Sequence, residues 1–76
     1  MPVKIYTTSH CPYCVMAKDF FRSKGVQFNE INVEDNQRAA EEMIEKSGQM
    51  GVPVIDINGK IIVGFNKSEI EKALKG

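Results

Sequence analysis

Asn58-Gly59 stands between two four-residue runs, Val54-Ile55-Asp56-Ile57 and Lys60-Ile61-Ile62-Val63. A two-residue turn of this kind needs a positive φ at both central positions, which Asn and Gly accept, and it forces the flanking strands to run antiparallel. The first half of the chain carries a different signal. Val3, Ile5 and Thr7 alternate with Lys4 and Tyr6, which reads as a strand. From Pro12 to about Lys24, Cys14, Ala17 and Phe21 recur at helical spacing with Phe20 beside them, and Gly25 follows as a stop. Val26 to Val33 alternates again, with a slip at Asn29 to Ile31 that predicts a short strand. Strand, helix and strand in that order make a right-handed crossover with parallel strands. A parallel pair and an antiparallel hairpin in so short a chain predict one mixed sheet.

The rest of the chain supplies the layers. Asp35 or Asn36 is placed to cap a second helix reaching Ser47, with Ala39, Ala40, Met43 and Ile44 as its apolar stripe and Glu42–Lys46 as an i,i+4 ion pair. Gly48 closes it, and Gln49-Met50-Gly51-Val52-Pro53 is a loop by composition. Gly64-Phe65 ends the hairpin. Asn66 and Glu69 resemble a capping box for a last helix whose inner face is Ile70, Ala73 and Leu74. The order is β-α-β-α-β-β-α, an α/β architecture with a four-stranded mixed sheet and helices on both faces.

Size and charge exclude several function classes. Seventy-six residues make one domain, residues 1–76, with a small core. Ten basic and ten acidic residues cancel, so neither a nucleic-acid footprint nor a polybasic membrane patch is expected. No apolar run approaches a membrane span, and the start of the chain lacks a secretory pattern. The expectation is a cytoplasmic monomer.

The chemistry concentrates at Cys11-Pro12-Tyr13-Cys14, which holds both cysteines of the chain. In a reducing compartment a lone pair of this spacing is catalytic or metal-binding more often than structural. Proline suits the first position of a helix, so Cys11 is expected at the helix N-terminus. There, unpaired N–H groups and the dipole favour a thiolate. A thiolate attacks a disulfide sulfur, and a low-pKa sulfur also leaves quickly when its own mixed disulfide is cleaved. Cys14, in the first turn, is the candidate resolving thiol. His10 is a candidate modulator of Cys11, with a plain solvent-facing loop residue as the alternative. Lys18, four residues after Cys14, would add positive field, the simpler alternative being a solvated lysine. Tyr13 is either a wall of the substrate groove or ordinary surface packing, and Tyr6 is expected to pack against the sheet. A zinc site needs about four ligands. Two cysteines and His10 fall short, so no metal is expected in a monomer; two copies would together offer four thiolates.

With these residues in view, the chain resembles the glutaredoxins, small members of the thioredoxin-fold superfamily. The Cys11-Pro12-Tyr13-Cys14 tetrad, the Lys4-Ile5-Tyr6-Thr7 strand, the Ser47-Gly48 helix end and Gly51-Val52-Pro53 carry the resemblance over nearly the whole length. It implies that Pro53 is cis and packs beside the cysteines, and that the Val52 backbone faces Cys11 and pairs with an extended substrate. It also implies glutathione as co-substrate, with no bound cofactor. Three positions depart from the family pattern. Thr8 and Gln49 stand where many glutaredoxins carry a basic residue, and Val63-Gly64-Phe65-Asn66-Lys67 stands where a Gly-Gly and an acidic pair are usual. Gly64 and Asn66 remain candidates for backbone and side-chain hydrogen bonds to glutathione, with Pro12, Tyr13, Val52 and Pro53 completing the substrate site.

The expected function is reduction of protein disulfides and of glutathione mixed disulfides, with glutathione and disulfide-containing or glutathionylated proteins as partners. Cys11 attacks and Cys14 resolves. Two alternatives are a glutaredoxin-like hydrogen donor recycled by a thioredoxin reductase and a dimeric metal-cluster-binding module.

Overall fold

The computed structural model describes residues 2–75. Four strands, β1 (Val3–Thr7), β2 (Asn29–Asn32), β3 (Val54–Ile57) and β4 (Lys60–Val63), form one sheet in the order β2-β1-β3-β4. The helices are α1 (Pro12–Ser23), α2 (Gln37–Ser47) and α3 (Lys67–Lys75). β1 and β2 are parallel, while β3 is antiparallel to both β1 and β4. The element order and the mixed sheet are those the periodicities predict. Asn58 (φ 51°) and Gly59 (φ 95°) both occupy the left-handed region that this hairpin turn requires.

Local signals explain the helix ends. Cys11 is extended at φ −128°, and Pro12 opens α1 behind it. Of the two candidate caps for α2, Asn36 serves: its Oδ1 accepts the Ala39 N–H at 3.0 Å. Gly48, at φ 73°, ends the same helix with its N–H on the Ile44 carbonyl at 2.7 Å. The capping box expected for α3 forms by half. Asn66 Oδ1 accepts the Glu69 N–H at 3.3 Å, but the Glu69 carboxylate turns to Lys72 (3.7 Å) and Lys60 (4.0 Å).

The sheet separates two apolar layers. α1 and α3 cover one face, where Ala17, Phe21, Ile70 and Ala73 pack on Val3, Ile5, Ile55, Ile57 and Ile62. Phe21 sits at the centre, its ring 5.9 Å from Phe28 and 6.0 Å from Phe20. α2 covers the other face, where Ala39 and Met43 meet Tyr6 and Val54, with Ile31, Val33, Val52 and Ile61 at the margin. Two covered faces let both sets of the alternation in β1 pack inward: Ile5 joins one layer, and Tyr6, expected against the sheet, is buried in the other. β2 is shorter than the 26–33 run, because Val26 and Phe28 pack onto the core without entering the ladder. Ile44 departs from the expected stripe at 38 % exposed. It lies about 100° around the helix from Met43, which takes it off the buried face.

A polar cluster ties α2 to the sheet. The buried Tyr6 hydroxyl donates to the Glu42 carboxylate and accepts from Lys46 Nζ at 3.1 Å. Lys46 also reaches Asp56 Oδ2 at 2.9 Å and Glu42 at 3.2 Å, and Asp56 Oδ1 takes the Gly59 N–H at 2.8 Å. The Tyr6 hydroxyl and Lys46 hold the Glu42 carboxyl below its usual range. Burial pushes Asp56 up, but Lys46 and the Gly59 N–H outweigh it, and its carboxyl is held low. Burial, then the bond to Glu42, raises the Tyr6 phenol, while Asp56 first and Tyr6 next raise Lys46. The depressed carboxyls stabilise the fold above the ordinary carboxylate range and lose that contribution as the pH falls below about 4. The raised Lys46 and Tyr6 contribute fully below about 10 and lose it at higher pH. Urea midpoints should therefore fall at both ends of the pH scale, and Lys46→Met should flatten both limbs. Limbs as steep as those of the unaltered protein would remove this cluster from the account.

Candidate active site

Strand register gathers the site at one end of the sheet. β1 ends at Thr7, opposite Asn32 of β2. The pairing of Tyr6 with Val54 puts Pro53 next in line beside Thr7. Val54 pairs with Val63, and the Gly64 N–H extends that ladder to the Pro53 carbonyl at 2.8 Å. The segments after β1, after β2, before β3 and after β4 therefore emerge together, and each carries residues singled out from the sequence.

The segment that delivers Cys11 is pinned from β2. The Ser9 N–H donates to the Glu34 carboxylate, Asn32 Nδ2 donates to Ser9 Oγ at 3.1 Å, and the Glu34 N–H returns to Asn32 Oδ1 at 2.8 Å. The Ser9 N–H, then its hydroxyl, holds the Glu34 carboxyl below the usual range, and the charge of exposed His10 adds to this.

Cys11 and Cys14 are joined as a disulfide, with their Cα atoms 5.2 Å apart. Cys11 is the cap of α1: its Sγ accepts the Cys14 N–H at 3.1 Å, and its carbonyl accepts the Val15 N–H at 3.2 Å. The sulfur thus stands where a serine or aspartate oxygen stands in an ordinary cap. The two sulfurs differ in access. Cys11 is partly exposed, whereas Cys14 is 1 % exposed and faces the core with Ala17 and Phe21. Pro12 is exposed beside them and Tyr13 is 61 % exposed.

The remaining candidates divide. The Val52–Pro53 peptide is cis, Pro53 is buried, and Val52 packs at the edge of the α2 layer. Gly64 (φ 80°) has given its N–H to Pro53, so that donor is not open to a ligand. Asn66 uses its Oδ1 to cap α3 and to accept from Ser68 Oγ at 3.1 Å. Lys18 is neither a solvated lysine nor an uncompensated charge. Its Nζ lies 2.8 Å from Glu30 Oε2, which also accepts the buried Thr7 hydroxyl at 2.9 Å. The Lys18 bond, opposed by burial and aided by Thr7, holds the Glu30 carboxyl low. Gln49 folds its carboxamide back onto Gly51 and Ser47. Among the described residues, no three His, Cys, Asp or Glu side chains gather at metal-binding distance, and no helix is long and apolar enough to cross a membrane.

Glu30, Glu34, Asn32 and Gln49 carry no motif. The first three are recruited by the β1–β2 register, which periodicity does not report. Only the i,i+2 spacing of Gln49 and Gly51 offers a local hint.

Comparison with known proteins agrees with this arrangement. The glutaredoxin family profile matches residues 3–62. A glutaredoxin-like 8.6 kDa protein of the rubredoxin operon of Clostridium pasteurianum is 49 % identical over 73 residues, covering 96 % of this chain and 97 % of that one. Glutaredoxin 3 of Escherichia coli K12 is 47 % identical over 62 residues, covering 82 % and 75 %. Among solved structures, the glutaredoxin-like NrdH-redoxin of Escherichia coli, described as having a thioredoxin-like activity profile, superposes with a TM-score of 0.86. It is 29 % identical, and the match covers 95 % of this chain and 93 % of that one. With a redox-active Cys11–Cys14 pair at the head of α1 and a thioredoxin-like β-α-β-α-β-β-α sheet beneath it, the chain belongs to the glutaredoxin family of dithiol oxidoreductases.

Proposed function

We propose that the chain reduces protein disulfides and glutathione mixed disulfides, with Cys11 as nucleophile, Cys14 as resolving thiol and glutathione as co-substrate. The observation that carries this is the unequal access of the two sulfurs: Cys11 caps a helix and meets solvent, while Cys14 is buried one turn behind it. A substrate disulfide reaches the first sulfur and not the second. The Cys11 thiolate attacks one substrate sulfur, a Cys11–substrate disulfide forms, and the other substrate sulfur leaves as a thiolate. Cys14 gives up its proton to solvent and attacks Cys11 Sγ, expelling the second substrate thiolate. The Cys11–Cys14 disulfide results, with two electrons moved to the substrate. Two glutathione thiols restore the dithiol and leave as glutathione disulfide.

Substrate would lie across Pro12 and Tyr13 on one side and Val52 and Pro53 on the other. The Val52 backbone pairs with the substrate main chain, while Gly64 and Asn66 shape the far wall. His10 lies at the rim. Lys18 acts at most through Glu30 and Thr7. The setting is a reducing cytoplasm and the working unit a monomer.

A second reading, recycling by a thioredoxin reductase, draws support from the fold shared with NrdH-redoxin and from the uncharged Thr8 and Gln49. A coupled assay separates the two. Glutathione, glutathione reductase and a cysteine–glutathione mixed disulfide should sustain NADPH oxidation, and thioredoxin reductase should not. Turnover with thioredoxin reductase alone would favour the second reading, and turnover with neither would overturn both.

A further inference from the structure

We infer that Gln49 is a positioning residue for the reaction, setting the loop that presents the Val52 backbone to an extended peptide. The inference rests on the role proposed above for Val52. The Gln49 carboxamide donates from Nε2 to the Gly51 carbonyl at 3.0 Å and accepts the Gly51 N–H on Oε1 at 2.6 Å. One side chain thereby pairs with both polar groups of one residue, as a neighbouring strand would. The second Nε2 hydrogen goes to Ser47 Oγ at 3.1 Å. That oxygen lies 2.7 Å from the Met43 carbonyl and 3.0 Å from the Gln49 carbonyl. A continuous chain of hydrogen bonds thus runs from the last turn of α2, anchored by buried Met43, to the residue before Val52.

Gly51 is otherwise the loosest point of this loop, since glycine has the most backbone freedom to lose. The pairing with Gln49 removes that freedom before substrate arrives, which lowers the ordering cost of binding. It also explains two further observations. Met50, spanned by the bridge between its neighbours, is turned out to 78 % exposure. A Cβ at Gly51 would meet Gln49 Oε1 at 2.8 Å and no backbone atom, so it would push the carboxamide off its Gly51 partners. A side chain at position 51 and the carboxamide of position 49 therefore compete for one space.

The test uses two probes with the fully reduced protein in single turnover: a cystine-linked peptide and bis(2-hydroxyethyl) disulfide, which has no peptide groups to pair with Val52. Gln49→Ala should slow the peptide reaction about tenfold, the worth of roughly one substrate hydrogen bond, and leave the hydroxyethyl reaction unchanged. Gly51→Ala should do the same. The double variant should be no slower than Gln49→Ala, since its Cβ then meets nothing. An equal loss with both probes, no loss with either, or effects that multiply in the double variant would overturn the inference. If the unaltered protein reduces neither probe, the proposed function itself fails, and that result is visible before any variant is made.

Discussion

Cys14→Ser is expected to retain reduction of glutathione mixed disulfides near the unaltered rate and to lose multiple-turnover reduction of protein disulfides. Cys11→Ser is expected to fall to the uncatalysed background with both. The structure supplies the reason for the asymmetry. The group that supports the Cys11 sulfur is the backbone N–H of residue 14, at 3.1 Å, which a serine still provides. The variant therefore keeps its nucleophile, its cap and its helix N-terminus, and glutathione can release the product from Cys11 directly. What it loses is the internal attack that frees a protein held in mixed disulfide. Mass spectrometry should then find that protein trapped on Cys11. An active Cys11→Ser paired with an inactive Cys14→Ser would exchange the two roles.

Phe21→Ala is expected to remove about 3–5 kcal/mol, the usual cost of emptying a buried aromatic site. At about 0.05–0.15 kcal/mol per residue, a chain of 76 residues has a total stability of only about 4–11 kcal/mol. The loss is therefore a large part of the whole. Phe21 is fully buried, contacts Phe20 and Phe28, and lies where α1 meets the sheet. Urea denaturation followed by far-ultraviolet circular dichroism measures the effect, and the variant should be partly unfolded without denaturant. A loss below about 1 kcal/mol would mean that α1 can settle into the vacated space.

The strands and helices were legible because each rests on nearest-neighbour chemistry. Asn58-Gly59 demands a hairpin whatever surrounds it. Pro12, Gly25, Asn36 and Gly48 punctuate helices through their own backbone preferences. The Cys11–Cys14 pair was legible for the same reason, as were its place at the head of α1 and the burial of the second sulfur. Side chains whose partners are distant in sequence were not. Lys18 reads as a surface charge until the β1–β2 register brings Glu30 beneath it. Tyr6 reads as a sheet-packing residue, but the partners of its hydroxyl appear only when α2 brings Glu42 and Lys46 over it. Gly64 reads as a free donor until the β3–β4 ladder runs one pair further, to Pro53.

The strand register that gathers four segments at one end of the sheet also has an evolutionary consequence. Three of the four lie outside the aromatic packing around Phe21, but the segment after β4 joins it through Phe65, whose ring stands 6.0 Å from that of Phe20, so a change there would act on the interior as well as on this end of the sheet. A lineage would be free to edit the rim on three of these segments, while changes after β4 would also have to preserve the Phe65 contact.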